Sequence, residues 1–201
     1  MKVPDDPRPA RDEYLLSMAV DQAARCNCRK TAVGAVIARD DRIISTGYNG
    51  TIAGFDNCID GGCPRCADEA IVSGTYLDRC ICVHAEQNAL LAAARFGVRV
   101  EGATCWVTNE PCLDCTKQLI QAELAAVYYW KPYTLPNADS QALRERMRQH
   151  ARTRQHGSGP MKFEAVIPAT TALALETRYQ ATKQRLDEYV RARHRQDRPR
   201  S

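Results

Sequence analysis

His84-Ala85-Glu86, answered downstream by Pro111-Cys112-Leu113-Asp114-Cys115, is the pair of stretches from which the rest of this chain is read. Each half stands before a run with helical spacing of apolar residues, 87–96 and 113–124. One imidazole and two thiolates, from His84, Cys112 and Cys115, fill three corners of a zinc tetrahedron and leave the fourth to water. A lone Cys-x-x-Cys says little, because redox sites and structural zinc knuckles share it. Both halves together, in this order and each before a helix, are specific. Glu86 sits beside the histidine ligand, placed to carry protons rather than to bind metal. A zinc that only held a binding module together would have no use for it.

The helix starts matter to the chemistry. Their partial positive ends stabilise thiolates at Cys112 and Cys115 and offset the negative charge gathered there. Zinc lowers the pKa of a bound water toward about 7, and a carboxylate next to it can take up the proton released. The plainer alternative for Glu86 is a helix-start carboxylate interacting with the helix dipole.

Working outward, Asp12 is placed to cap a helix through residue 24, with Leu15, Leu16, Ala19, Val20 and Ala23 as its apolar stripe. Residues 33–38 and 43–47 read as a hairpin turned by Arg39-Asp40-Asp41-Arg42. Tyr48-Asn49-Gly50 follows, either as an ordinary turn or as a ligand loop. Residues 103–108 and 124–130 read as strands, with Cys105 a core residue. Helix, hairpin, helix, strand, helix, strand predicts a helix-flanked sheet of mixed direction.

Between the hairpin and His84 lies a polar, irregular segment carrying Cys58, Cys63, Cys66, Cys80 and Cys82. Cys26 and Cys28 can approach the same cluster. Four of these thiolates would make a second, structural zinc site, with the choice of four left open. Buried thiols acting as small apolar side chains are the alternative. Beyond Tyr133 a helix over 140–150 is expected to turn Leu143 and Met147 to one side. A break at 157–160, a strand near 162–168 and a helix from Thr170 or Thr171 to about 194 follow. That last helix carries an interrupted stripe of Leu175, Tyr179, Leu186 and Tyr189 or Val190, and the final residues read as disordered. The chain thus divides into a flexible leader (1–11), a zinc-site domain (12–133) and a basic, mainly helical extension (134–201).

The 201 residues are 44% hydrophobic and suit one cored domain with an appendage. The absence of a long apolar run and a polar, proline-rich start argue against a membrane span or a secretory signal. Of the ten cysteines, two pair with the histidine and most others crowd into short spacings typical of metal sites, which points to a reducing, cytoplasmic setting. Lys and Arg number 14 against 17 Asp and Glu in residues 1–133, and 14 against 7 in residues 134–201. The slightly acidic zinc-bearing part argues against a nucleic-acid partner, which would need a basic channel around the site.

Five stretches carry a resemblance: Val33-Gly34-Ala35-Val36-Ile37, Gly47-Tyr48-Asn49-Gly50, His84-Ala85-Glu86-Gln87-Asn88-Ala89, Thr108-Asn109-Glu110-Pro111-Cys112-Leu113-Asp114-Cys115 and Val127-Tyr128-Tyr129. Over residues 14–133 the chain resembles the deoxycytidylate (dCMP) deaminase family of the cytidine deaminase superfamily, whose H-x-E and P-C-x-x-C signature it carries. The resemblance implies a three-layer α/β/α cytidine-deaminase-like fold with a mixed central sheet, here followed by a C-terminal extension. It implies hydrolysis of dCMP to dUMP and ammonia, supplying thymidylate synthesis, with zinc-bound hydroxide adding at C4 and Glu86 shuttling protons. Val127-Tyr128-Tyr129 would be the last core strand. Asn49 would hold the deoxyribose-phosphate, Tyr48 would shape its loop, Arg29 or Lys30 would meet the phosphate, and Tyr133 would reach the same region. The resemblance further implies a homo-hexamer activated by dCTP and inhibited by dTTP, with Mg2+. Other substrates left open are 5-modified dCMP, dCTP and deoxycytidine, and, in a different class, a cytosine in RNA or single-stranded DNA.

Overall fold

Leu15, Leu16, Ala19, Val20 and Ala23 recur at helical spacing, and helix α1 (Arg11–Ala23) buries all five. The computed structural model describes residues 9–155, 157–166 and 172–196. Most of the expected leader, the Thr170 or Thr171 cap and the residues past 196 lie outside the described residues. Helix α1 starts one residue before Asp12, after Ala10. Asp12 has another task, accepting the indole N–H of Trp106 at 3.1 Å.

Strands β1 (Gly34–Arg39) and β2 (Arg42–Tyr48) form the expected hairpin. Asp40 and Asp41 carry it round at φ 48° and 61°, the left-handed pair that a tight two-residue turn requires. Ile37 faces Ser45 while Ala38 faces Ile43, so Ile44 bulges out of the ladder. A short strand β3 (Gly50–Thr51), a single helical turn α2 (Pro64–Ala67) and strand β4 (Cys82–Val83) frame the cysteine-rich segment, with β3 and β4 paired antiparallel. Helix α3 (Ala85–Arg95), strand β5 (Thr104–Asn109), helix α4 (Leu113–Gln121) and strand β6 (Ala126–Lys131) follow. Helix α5 (Ala138–Arg152), strand β7 (Lys162–Ala165) and helix α6 (Ala172–Gln196) complete the order.

The main sheet runs β2-β1-β5-β6-β7. Strand β1 is antiparallel to both neighbours, and β5, β6 and β7 are parallel, so the sheet is mixed. Alternation along the strands sends Val36, Ala38 and Trp106 to one face, against α1 and Leu175 and Tyr179 of α6. Ala35, Ile37, Cys105 and Val107 go to the other, against Ala85 and Ala89 of α3, Leu119 of α4 and Ala151 of α5. This is the expected three-layer α/β/α arrangement, with Cys105 in the core. Each larger aliphatic side chain buried this way contributes about 1.5–3 kcal/mol.

Two glycines let the layers close. A Cβ on Gly34 would stand 2.0 Å from the Ala19 carbonyl oxygen, in the body of α1. One on Gly47 would stand 2.2 Å from the Ala85 carbonyl oxygen and 2.5 Å from the Ala89 nitrogen. Gly47 therefore sets how closely the first turn of α3, which carries Glu86, approaches the sheet.

Past residue 133 the structure departs from several expectations. Strand β6 is not the last of the sheet, because the strand expected near 162–168 forms as β7 and pairs beside it as a fifth. Helix α5 turns Arg144, Arg148 and Ala151 inward, while Leu143 is 45% exposed and Met147 half-buried. The surface beneath α5 is polar, offering the Glu110 carboxylate and the carbonyls of Pro111 and Tyr133, so arginines rather than leucine meet it. On α6, Thr182 joins Leu175 and Tyr179 in burial and Tyr189 is exposed, its hydroxyl donating to Asp60 at 2.7 Å.

Candidate active site

Both signature stretches place their ligands at helix starts. His84 is the N-cap of α3, Cys112 is the N-cap of α4, and Cys115 lies in the first turn of α4. Helix α3 begins two residues earlier than the apolar spacing indicates, because the His84 backbone N–H donates to the Gln87 side chain at 2.9 Å and closes the first turn. Asn88 ties the same helix to the hairpin, donating to the Tyr48 carbonyl at 2.7 Å.

The Nδ1 atom of His84 lies 3.4 Å from the sulfur of Cys112 and 3.4 Å from that of Cys115. Zinc bonds of roughly 2.1 Å to nitrogen and 2.3 Å to sulfur give a tetrahedral edge of about 3.5 Å. The three donors fit zinc, and they fit it through Nδ1. Cys112 is pulled down to about 4 because the Cys115 thiol donates to it. Against that thiolate His84 rises to about 9. The protons held among these three groups are the ones a metal displaces.

Glu86 is buried at 4% exposure, and loss of hydration pushes its carboxyl up to about 7. A carboxyl poised there can both accept and return a proton near neutrality. It lines a cavity with His84, Cys112, Lys30, Asn49, Arg65, Asn109 and Tyr133. The structure thus brings His84, Glu86, Cys112, Cys115, Asn49, Lys30 and Tyr133 to one place. Tyr48 and Arg29 are not in the cavity wall. Tyr48 contributes its carbonyl to Asn88, and Arg29 faces Glu69 at 3.8 Å.

Asn49 has a structural task within that wall. Its side-chain oxygen accepts from Val33 N–H at 2.8 Å and its amide donates to the Thr31 carbonyl at 2.7 Å. The Tyr48-Asn49-Gly50 stretch is therefore a rigid joint between β2 and β3 rather than a loose loop. Lys30 commits two ammonium hydrogens to the carbonyls of Asp68 and Ile71, at 2.9 and 3.0 Å.

Three features escape the pattern of the sequence. Arg65, 4% exposed, lines the cavity and holds the carbonyls of Val72 and Thr75. Asn109 lines it too, and its buried side-chain oxygen has no hydrogen-bond partner. Its position directly before Glu110-Pro111-Cys112 was the available signal. Glu110 accepts from Arg148 at 2.5 Å and from the Tyr133 backbone N–H at 2.8 Å, while Arg144 donates to the Pro111 carbonyl at 2.9 Å. Helix α5 thereby grips the turn that delivers Cys112.

Of the seven cysteines considered for a second metal, Cys26 stays apart. Its thiol is directed at the Thr31 carbonyl, 3.5 Å away. The other six crowd together in two overlapping groups of four.

A helix-flanked mixed sheet with a buried carboxyl beside a His-Cys-Cys donor set defines an α/β zinc-site domain. The chain belongs to the cytidine and deoxycytidylate deaminase zinc-binding family, whose profile matches residues 9–131. It is 41% identical over 137 residues to a deoxycytidylate deaminase of Saccharomyces cerevisiae, covering 68% of this chain and 43% of that protein. It is 40% identical over 128 residues to a deoxycytidylate deaminase of Mycobacterium phage D29, covering 62% of this chain and 97% of that one. The fold is similar to the crystal structure of dCMP deaminase from the cyanophage S-TIM5 in complex with dCMP and dUMP. The TM-score there is 0.57 at 25% identity, covering 80% of this chain and 100% of the other. The chain spans less than half the length of the yeast relative. No helix among the described residues is long and apolar enough to cross a membrane.

Proposed function

We propose that this chain hydrolyses dCMP to dUMP and ammonia, supplying dUMP for thymidylate synthesis. The observation that carries the reading is the buried Glu86 carboxyl beside His84, Cys112 and Cys115, in a cavity whose wall also holds two cations, Lys30 and Arg65. The relatives named deoxycytidylate deaminase support the same substrate.

His84, Cys112 and Cys115 would hold the metal, and zinc bound there would supply the Lewis acidity that makes a water nucleophilic at neutral pH. Glu86 takes a proton from the attacking water and delivers it to N3 of the cytosine, then takes the second proton from the oxygen now on C4 and delivers it to the departing amino group. The water oxygen ends at C4 and the nitrogen leaves as ammonia, so atoms and protons balance. Burial of Glu86 keeps its proton affinity near that of the groups it serves. The orphan oxygen of Asn109 accepts a substrate N–H or O–H. Lys30, with an ammonium hydrogen beyond the two it commits, meets the 5′-phosphate, with Arg65 adding positive potential. Asn49 and Tyr133 complete the wall around the sugar.

The finer parts of the proposal are a cytoplasmic homo-hexamer that responds to dCTP and dTTP with Mg2+. Ammonia release from the zinc-loaded chain, measured on dCMP, CMP, deoxycytidine, dCTP, 5-methyl-dCMP and a short cytosine-containing single strand, tests the substrate. The proposal expects dCMP to be turned over fastest, with deoxycytidine slowed by its missing phosphate. Silence on dCMP with turnover of another member overturns it. Sedimentation with and without dCTP or dTTP tests assembly and response.

A further inference from the structure

Ten cysteines are present, and four have places of their own. Cys112 and Cys115 belong to the catalytic centre, Cys105 is sealed in the sheet core, and Cys26 faces the Thr31 carbonyl. The remaining six form two tetrads: Cys28, Cys58, Cys66 and Cys82, and then Cys63, Cys66, Cys80 and Cys82. Within each tetrad all four sulfurs lie within 4.8 Å of one another. The tetrads share Cys66 and Cys82.

Two separate four-thiolate sites would need eight cysteines. Six suffice if two sulfurs bridge. A zinc–sulfur bond of about 2.3 Å gives a tetrahedral edge of about 3.8 Å. The sulfurs of Cys63 and Cys80 are 3.8 Å apart, and those of Cys66 and Cys80 3.7 Å apart. A disulfide would require about 2.05 Å. We propose that these six cysteines hold two zinc ions as one binuclear cluster, with Cys66 and Cys82 as bridging thiolates. Cys28 and Cys58 terminate one side, and Cys63 and Cys80 the other.

The segment that carries the cluster has almost no apolar core of its own. Every fully buried apolar side chain between residues 52 and 82 is a cysteine, while Ile52, Phe55, Val72 and Tyr76 are 41–66% exposed. Metal binding supplies the ordering energy that a core supplies elsewhere. Two zinc ions and six thiolates carry a net charge of −2. Donors are in place to offset it: a guanidinium nitrogen of Arg65 lies 3.7 Å from the Cys66 sulfur, and the Arg29 backbone N–H meets the Cys58 sulfur at 3.4 Å.

The cluster is continuous with the catalytic cavity. Cys28, Cys66, Cys80 and Cys82 line it beside Lys30 and Arg65, and Cys82 on β4 is two residues before His84. It fixes the cationic wall, and its existence does not depend on which substrate that wall serves.

The test is zinc stoichiometry of the full chain, purified under reducing conditions and dialysed, by native mass spectrometry with elemental analysis. Three zinc ions per chain are expected, falling to two in His84→Ala. Two per chain, falling to one in His84→Ala, overturns the binuclear cluster in favour of a single four-cysteine site. One per chain overturns any metal in this segment. Cadmium-113 exchange of the unsubstituted chain gives an independent readout. Two thiolate-only resonances coupled to each other through shared sulfur are expected, and uncoupled resonances overturn the bridging.

Discussion

Replacing Glu110 with glutamine tests how firmly helix α5 holds the turn before Cys112. Glu110 lies between Arg148, at 2.5 Å, and Arg144, at 3.5 Å, and the side chains are 10%, 3% and 1% exposed. The amide keeps an oxygen for the Tyr133 N–H but removes the charge that compensates both guanidinium groups. Stripping one partner from a buried pair costs about 3–5 kcal/mol, because the remaining charge stays buried. In a domain of this size each kcal/mol moves the melting temperature by about 2–4 °C, so the loss is on the order of 6–20 °C. The control is Glu145→Gln, which breaks the Arg152–Glu145 pair, with side chains 46% and 53% exposed. Such a pair is worth about 0–1 kcal/mol. Thermal unfolding of both zinc-loaded variants by circular dichroism decides the matter. If Glu110→Gln melts no lower than Glu145→Gln, α5 does not brace the metal turn as described.

Other consequences are equally direct. Gly47→Ala drives a methyl into the first turn of α3, an overpacking cost of about 1–3 kcal/mol, and should lower both the urea midpoint and zinc retention; unchanged values would contradict the close approach. Asn109→Ala should raise KM for dCMP by roughly 2–10-fold, the worth of one neutral hydrogen bond, without shifting the melting temperature downward. Lys30→Met should raise KM for dCMP by about tenfold or more while changing deoxycytidine turnover far less; equal effects on both would place the phosphate elsewhere.

The candidate active site was legible because its residues are local in sequence. His84 with Glu86, and Cys112 with Cys115, lie within one helical turn of each other, so spacing alone places them. The hairpin was legible because Asp40-Asp41 between apolar runs names its turn. The inward face of α5 was not, since an apolar pattern reads Arg144 and Arg148 as solvent-facing. Their partners, Glu110 and Pro111, are more than thirty residues away, and only the folded chain brings them together. Arg65 was hidden for a similar reason, held by backbone carbonyls that carry no sequence signal. For the cysteines, counting suggested one site of four. Sharing of Cys66 and Cys82 between two tetrads is a property of three-dimensional placement.

The central claim is that Glu86 moves protons for deamination of dCMP at the His84-Cys112-Cys115 centre. The most direct measurement compares dUMP formation by the unaltered chain and by Glu86→Gln, with zinc content determined on the same samples. The account predicts equal zinc and a fall in turnover of about 10²–10⁴-fold. Turnover of dCMP surviving in Glu86→Gln at full zinc content would contradict it.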